Sequence, residues 1–263
     1  MLILLSPAKA LDFDKPLPKT AHTQPRLMEE AVALAEVMKT KSVTELARLS
    51  AISDELAALN AQRWADFTVP FGPEQARVAV LGFNGDAYQG MAPRERFGTA
   101  DYTEAQKTLR ILSGLYGVLR PLDQILAYRL EMGTRLATGR GSNLYHWWGE
   151  QITDLLRADL PESPGAKVVV NLASAEYFGA VQPDRLGAPV ISPRFEDTDA
   201  RGKRKVISFF AKRARGEMAA WLIKQRVRTP KALLGFAAVG YRYDRASSTA
   251  LEPTFVRAFA ARP

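Results

Sequence analysis

The chain has 263 residues, of which 47% are hydrophobic and 24% charged, so it can bury one sizeable core and we expect a single domain over residues 1–263. It contains no cysteine, which excludes disulfides and thiolate metal sites, and it has only two histidines, so we expect neither a metal site nor a cofactor. The formal net charge of +8 indicates an acidic partner such as nucleic acid.

The chain opens on an apolar run, Leu2 to Leu5, that predicts a core strand. The run is too short to span a membrane and has no basic region before it, so it does not resemble a signal peptide. We expect a cytoplasmic protein that makes no membrane contact and is a monomer. The polar turn after the strand contains Lys9, which could reach a phosphate or a carboxylate or could simply lie in solvent.

Three helices are predicted next, at Arg26 to Lys39, Val43 to Leu49 and Asp54 to Phe67. Ser42 and Glu45 have the spacing of a capping box, in which side chains satisfy the free N–H groups at a helix start. Ser53 is a natural N-cap for the third helix. This part of the chain therefore predicts a helical layer that covers the core.

The segment Thr103 to Gly133 predicts a helix-hairpin-helix element. It opens on the capping-box pattern TEAQ, and Gly114 and Gly117 predict a tight turn before a second helix from about Leu122 to Met132. An ordinary helical hairpin in the core would have the same pattern. Thr108 to Tyr116 could also be a buried strand, because so short an apolar run does not distinguish the two.

In a helix-hairpin-helix, backbone N–H groups at the turn point outward together and bind a phosphate without reading a base. The function predicted for this segment is therefore non-specific contact with a DNA backbone. Two further arginines follow in a glycine-rich stretch, either beside the same phosphate or in an exposed loop. The DNA-binding residues predicted here are Gly114, Tyr116, Gly117, Arg120, Arg129, Arg135 and Arg140.

A polar pocket is predicted where strands end. The apolar run Lys167 to Leu172 is typical of a strand buried on both faces, and it is followed by Ser174 as the N-cap of a short helix. Such a junction is where α/β proteins place small-molecule sites. Asp86, after the Asn-Gly turn, is either a turn residue or a site carboxylate. The predicted pocket residues are Lys9, Asp86, Asn171, Ser174 and Glu176.

The excess of positive charge lies in one segment. Arg201 to Arg228 contains ten basic residues and one acidic residue, a local charge of +9, whereas the whole chain has +8. A helix is predicted from Ala211, and Lys212, Arg213 and Arg215 would crowd its first turn, where the helix dipole disfavours cations. Cations placed against the helix dipole in this way indicate an anionic ligand, so these three cations are also predicted to be DNA-binding residues.

Further strands are predicted at Val190 to Phe195, Lys205 to Phe210, Phe236 to Tyr243 and Thr254 to Phe259. With the preceding elements they predict a mixed α/β (α+β) fold. We expect one compact domain with a central mixed sheet, a helical covering layer and the helix-hairpin-helix element.

Five stretches, in this order and over nearly the full length, resemble the YaaA family of bacterial peroxide-stress proteins: MLILLSPAKALDF, FNGDAYQGM, LRILSGLYGVLRPLDQILAYRLEMG, NLASAEYF and ISFFAKRARGEM. The resemblance implies a cytosolic protein of mixed α/β fold with a positively charged cleft and a helix-hairpin-helix. It also implies binding of double-stranded DNA, protection against oxidative damage and lower free intracellular iron. It implies no catalytic residue.

Two functions of different classes follow from these patterns. The first is a DNA-binding protein of the peroxide-stress response, and we expect such a protein rather than an enzyme. The alternative is a lyase or hydrolase that acts on a nucleotide or a DNA base in the polar pocket. A basic face that docks an acidic partner would explain the charge equally well.

Overall fold

The structure is a computed structural model that describes residues 1–15, 21–72 and 74–262. The strands of this part of the chain are β1 (Leu2–Leu5), β2 (Arg77–Val78), β3 (Leu109–Ser113), β4 (Gly117–Leu119), β5 (Gln124–Ile125), β6 (Val169–Leu172), β7 (Val190–Ile191), β8 (Arg194–Thr198), β9 (Arg204–Lys205), β10 (Tyr241–Tyr243) and β11 (Thr254–Arg257). The α-helices are α1 (Met28–Lys39), α2 (Val43–Ser50), α3 (Asp54–Ala65), α4 (Ala79–Gly82), α5 (Asp86–Met91), α6 (Pro93–Arg96), α7 (Thr99–Thr108), α8 (Leu144–Trp148), α9 (Gln151–Glu162), α10 (Ala175–Phe178), α11 (Ser208–Lys224) and α12 (Pro230–Leu233).

The central sheet has the strand order β4-β3-β1-β6-β7, with β3, β1, β6 and β7 parallel and β4 antiparallel at one edge. Ile3 pairs with Leu109 on one side and with Val170 on the other. All four residues of β1 are buried, as expected for a parallel strand covered on both faces. The mixed α/β fold and the single compact domain with a central mixed sheet are confirmed.

The helical layer is confirmed in α1, α2 and α3, with the predicted caps. The Glu45 backbone N–H donates to Ser42 Oγ at 3.3 Å, and the Ser42 N–H donates to Glu45 Oε2 at 2.8 Å, which completes the capping box. Ser53 Oγ accepts from the N–H of Leu56 at 3.4 Å. None of the helices in the described part of the chain is long and apolar enough to cross a membrane.

The segment 103–133 is not a helix-hairpin-helix. Its TEAQ pattern lies inside α7, which begins four residues earlier at Thr99, and the chain then forms the antiparallel hairpin of β3 and β4. Gly117 closes a three-residue loop with a φ of 66°, a conformation that favours glycine. The strand alternative is correct here because β1 supplies a parallel partner for β3, which no local pattern reveals.

The predicted second helix, Leu122 to Met132, is extended chain. Its backbone N–H groups find partners far away in sequence instead of four residues back. The N–H groups of Leu122, Gln124 and Leu126 donate to Gln106 Oε1, to the carbonyl of Thr23 and to the hydroxyl of Tyr116, respectively. Tertiary partners therefore satisfy the donors that a helix would have satisfied internally.

A second sheet, in the order β10-β11-β8-β9, lies beyond the central one in the chain. The predicted strands near residues 190, 236 and 254 exist in shorter form, but the predicted strand Lys205 to Phe210 is wrong. Only Arg204–Lys205 pair with β8, and α11 begins at Ser208. The pairing with β8 stops at Lys205, although β8 extends back to Arg194, and α11 then satisfies its backbone groups internally.

Helices α5 and α11 cross at backbone contact. A Cβ atom built on Gly216 would lie 1.7 Å from the carbonyl oxygen of Ala87, and one built on Gly90 would lie 2.1 Å from that of Arg213. Only glycine allows so close an approach. The crossing holds the first residue of α5, Asp86, beside the N-terminal half of α11.

A buried ion pair joins the helical layer to the central sheet and predicts acid sensitivity. Arg26 Nη1 lies 2.6 Å from Asp159 Oδ1, and Arg110 donates to the other oxygen. Burial raises the pKa of Asp159, but the hydrogen bonds from Arg26 and the charge of Arg110 outweigh it, so the net shift is downward. Asp159→Asn should lose about 1–3 kcal/mol at pH 7.

The sign of this effect predicts its pH range. Because the folded-state pKa lies below the unfolded value of about 3.9, the stabilisation by Asp159 is present above about pH 4 and is lost as the pH falls through the folded-state pKa. Urea unfolding of parent and variant should therefore converge below about pH 4. A stability difference that stays constant down to about pH 2 would contradict the ion pair.

Candidate functional site

A charged pocket of about 290 Å³ lies at the carboxyl ends of β1 and β6. Open α/β sheets bind ligands at this end of their strands. The polar and charged residues that line it come from the turn after β1, from α5, from α10 and from α11: Ser6, Lys9, Asp86, Tyr88, Ser174, Glu176, Tyr177, Lys212 and Arg215. The structure thus brings together four of the five predicted pocket residues and two of the predicted DNA-binding cations.

Hydrogen bonds between strand ends shape the floor of this pocket. Ser6 Oγ accepts from the backbone N–H of Ser174 at 2.8 Å, and the Tyr88 hydroxyl donates to the carbonyl of Ser6 at 3.0 Å. Burial raises the pKa of Tyr88 well above its usual value, so this hydroxyl stays protonated. Ser174 does precede α10, as predicted, but its side chain makes no capping bond and faces Ser6 Oγ at 3.4 Å.

Two cations of α11 enter the pocket. Among the described residues, neither Lys212 nor Arg215 has a carboxylate partner. Burial lowers the pKa of the Arg215 guanidinium. Because α11 begins at Ser208, both cations lie beyond its first turn, so the predicted conflict with the helix dipole is wrong. What indicates an anionic ligand instead is that neither cation has a carboxylate partner among the described residues.

The pocket also contains acids. Asp86 has no partner within the described ranges, and Glu176 Oε1 accepts from the N–H of Gly133 at 3.0 Å. Lys9 Nζ lies 3.2 Å from Glu131 Oε1 at the rim. Paired cations and carboxylates suit both anion binding and proton transfer. No group of three or more His, Cys, Asp and Glu side chains that could hold a metal occurs in the described part of the chain.

Asn171 is not part of the pocket. It lies on β6, where its side chain donates to Ser192 Oγ at 3.4 Å and accepts from the N–H of Ala173 at 3.0 Å. The bond to Ser192 connects β6 to the chain beyond β7. Asn171 does lie near the end of a strand, as predicted, but the pleat turns its side chain away from the pocket.

The glycines and the tyrosine of the hairpin are core residues. Tyr116 is fully buried, and its hydroxyl accepts from Leu126. A Cβ on Gly114 would lie 2.2 Å from the carbonyl oxygen of Leu130, and one on Gly117 would lie 2.9 Å from both Trp148 and Leu27. The space beside these glycines, where a phosphate contact is predicted, is filled by protein atoms.

Three of the four predicted hairpin arginines are neutralised. Arg120, Arg129 and Arg140 lie within 3.1 Å of the carboxylates of Asp123, Glu131 and Glu30, respectively. Arg140 also stacks over Trp147 at 4.2 Å. Arg135 is exposed and has no acidic partner among the residues described.

The basic segment is divided by its ion pairs. Its last three cations are paired with α7: Lys224 and Arg226 with Asp101, and Arg228 with Glu104. The predicted local charge of +9 is therefore largely cancelled at the end of α11. The unpaired positive charge that remains on α11 lies at Lys212, Arg213 and Arg215, within the described chain.

Sequence reasoning missed Ser6, Tyr88 and Glu131. Ser6 had a usable signal, because the SPAK turn directly follows a strand of the parallel sheet. Tyr88 and Glu131 gave none, since their positions depend on the α5–α11 crossing and on the extended chain after β5.

Fold and site together define the class: a mixed α/β protein with a charged pocket at the carboxyl ends of a parallel sheet. The family model described as peroxide stress protein YaaA matches residues 1–247. A UPF0246 protein of Cellvibrio japonicus is 49% identical over 258 residues, 98% of each chain. A second UPF0246 protein, from Burkholderia lata, is 49% identical over 249 residues, 94% of this chain and 95% of the relative. The chain belongs to the YaaA family of peroxide stress proteins.

Proposed function

We propose that this protein serves the peroxide-stress response by binding double-stranded DNA non-specifically through phosphates, with the contact centred on the charged pocket beside α11. Bound protein would shield DNA from oxidative damage, and the family resemblance adds a lowering of free intracellular iron to the proposed role. One observation carries the proposal: Lys212 and Arg215 line a concave site without carboxylate partners among the described residues, whereas the other basic residues at the end of α11 are paired.

A guanidinium that is partly buried without a counterion favours an anionic ligand, because a buried charge is stable only when it is paired. Phosphate groups suit this site since arginine and lysine bind them without regard to base sequence. Arg213, on the neighbouring side of α11, and the exposed Arg135 extend the positive surface. The hairpin of β3 and β4 has no part in this proposal.

The test is a fluorescence-anisotropy titration of random-sequence duplex DNA at several salt concentrations. Lys212→Gln with Arg215→Gln should reduce affinity at least about tenfold and make the log–log salt slope shallower by about 1.8, since each lost phosphate contact contributes about 0.9. Neutralising these cations should leave the melting temperature unchanged.

Arg140→Gln with Lys224→Gln is the matched control, because it removes the same charge from residues that have carboxylate partners. Its salt slope should equal that of the parent. If both double variants lose affinity equally, only the overall charge matters. If neither does, the pocket is not where DNA binds.

The second candidate is an enzyme acting on a nucleotide or a nucleobase, and the unpaired Asp86 favours it. This carboxylate lines the same pocket as Lys9, Ser174 and Glu176, with room for a small ligand. A carboxylate and a lysine at one site can move protons in lyase or hydrolase chemistry.

Asp86→Asn separates the two candidates. We expect it to leave duplex affinity unchanged or slightly improved, because it removes a negative charge beside the cations. Under the enzyme candidate it should abolish turnover of nucleotides or damaged bases, followed by liquid chromatography of the products. Absence of any turnover by the parent protein would exclude the enzyme candidate.

A further inference from the structure

A second cavity, of about 190 Å³, lies on the other side of α11, between this helix and the second sheet. It is lined by the aromatic residues Phe209, Phe210 and Tyr241 and by the cations Arg213, Arg257 and Arg262. Residues on successive turns of a helix share one face. Arg213 therefore follows Phe209 into this cavity, while Lys212 and Arg215 face the charged pocket described above.

Arg257 is the deepest cation of the cavity, with only 2% of its surface exposed. Its guanidinium stacks between the rings of Phe210 at 4.3 Å and Tyr241 at 4.6 Å. In the guanidinium plane, Nε donates to Asp197 Oδ1 at 2.7 Å and Nη1 lies 3.4 Å from the carbonyl of Val239. Nη2 is buried and has no hydrogen-bond partner among the described residues. Buried guanidinium donors are normally satisfied, so this one calls for an acceptor from outside the chain.

Two more guanidiniums lack acceptors at the same cavity. Arg262 stacks on Phe259 with its Nε 3.6 Å from Asp197, and its Nη2 makes no hydrogen bond in the described structure. Arg213 has no acidic partner among the residues described. Asp197 already accepts from the Tyr241 hydroxyl at 2.7 Å and from Arg257. Asp197 thus pairs with two of the three arginines of the cavity, which leaves a local excess of positive charge.

The rest of the wall is apolar. Phe209 is 48% exposed and Val239 40%, so both offer apolar surface at the mouth of the cavity. Val239 also has a φ of 48°, a left-handed conformation that β-branched residues rarely adopt. Such strained residues cluster at ligand sites. An occupant would therefore meet cations at the base of the cavity and apolar side chains at its mouth.

We propose that this cavity binds a small organic anion: a carboxylate or a phosphate monoester on a flat apolar body of about one ring. The anionic oxygens would accept from the exposed Arg213 guanidinium and, once side chains at the cavity shift to admit them, from Arg257 Nη2 and Arg262 Nη2. The ring would pack on Phe209 and Val239. The volume fits, since a cavity of about 150 Å³ accepts benzene. This site does not depend on the DNA-binding proposal, because that contact is centred on Lys212 and Arg215, which do not line this cavity.

The test is ¹⁹F NMR titration of the full chain with 4-fluorobenzoate, 4-fluorophenyl phosphate and the neutral 4-fluorobenzyl alcohol. At least one of the two anions should bind, and the alcohol should bind at least about tenfold more weakly because a charged hydrogen bond is lost. The stronger anion then identifies the ligand as a carboxylate or a phosphate monoester. Inorganic phosphate should compete at least tenfold less well than the preferred anion, because it has no ring to pack.

Arg213 and Phe209 are exposed, so Arg213→Gln and Phe209→Ser should leave the melting temperature unchanged. Each substitution should lower the affinity for the preferred anion at least about fivefold. Arg257→Lys, which removes Nη2, should weaken it further if the variant folds. The matched control is Arg215→Gln on the same helix, which should bind the anion like the parent. Binding of neither anion, equal binding of the alcohol, or equal loss in Arg215→Gln would overturn the proposal.

Discussion

Gly216→Ala should strongly destabilise the protein, although alanine is the better helix former by about 1 kcal/mol. The reason is the backbone contact between α11 and α5, where a Cβ on Gly216 would lie 1.7 Å from the carbonyl oxygen of Ala87 and 2.9 Å from the backbone nitrogen of Met91. No rotamer change relieves an overlap between Cβ and backbone, so the helices must separate. We expect a loss of at least about 3 kcal/mol in urea unfolding.

The control for this variant is Gly139→Ala, because a Cβ at Gly139 meets no atom within 4 Å. Its unfolding midpoint should match the parent. Under the DNA-binding proposal, any folded Gly216→Ala protein should also lose DNA affinity, since separating the helices moves Lys212 and Arg215 away from the rest of the charged pocket. A stabilised Gly216→Ala variant would show that the helix propensity of alanine outweighs any steric overlap. It would contradict the close backbone contact between α5 and α11.

Asp197→Ala should be nearly as destabilising, by about 3–5 kcal/mol, because it leaves buried arginine charge without a counterion. Asp197 is fully buried and accepts from Arg257 Nε and from the Tyr241 hydroxyl, each at 2.7 Å. The Arg257 side chain is only 3% exposed, so the removal of Asp197 would leave a buried guanidinium without its ion-pair partner. Urea unfolding at neutral pH measures the loss.

A double variant tests the cause. Asp197→Ala with Arg257→Leu removes both charges, so it should be more stable than the sum of the two single changes predicts. Arg204→Ala is the control, because its pair with Asp244 is exposed and should contribute little. Additive single and double effects would mean that the two side chains do not form a coupled pair.

Local elements of this fold follow from short-range patterns. The capping box of Ser42 and Glu45 needs only residues three apart, and β1 and β6 are apolar on both faces wherever their partners lie. The hairpin of β3 and β4 could not be assigned in this way. Its apolar run suits a helix as well as a strand, and pairing between Ile3 and Leu109, more than one hundred residues apart by their numbering, decides between them.

Gly117 illustrates the limit for the candidate site. Its sequence context predicts a tight turn and a phosphate contact. The turn exists, but Trp148 and Leu27 fill the space beside Gly117. The strand-end rule was more informative, because Lys9, Asp86, Ser174 and Glu176 all line the pocket. The rule only requires knowing which residues follow a strand, and the order of residues along the chain gives that. The direction of the Asn171 side chain depends in addition on the pleat and register of β6.

The sequence by itself determined the fold class, the family, the absence of cysteine chemistry and the concentration of ten basic residues in one segment. Only the tertiary structure decided which of those cations keep a free charge. Arg226 and Arg228 lie 125 and 124 residues from Asp101 and Glu104, the acids that neutralise them, so composition along the chain cannot reveal the pairing. Coulomb attraction depends on distance in space. Folding forms ion pairs at the end of α11, whereas Lys212 and Arg215 have no ion-pair partner among the described residues.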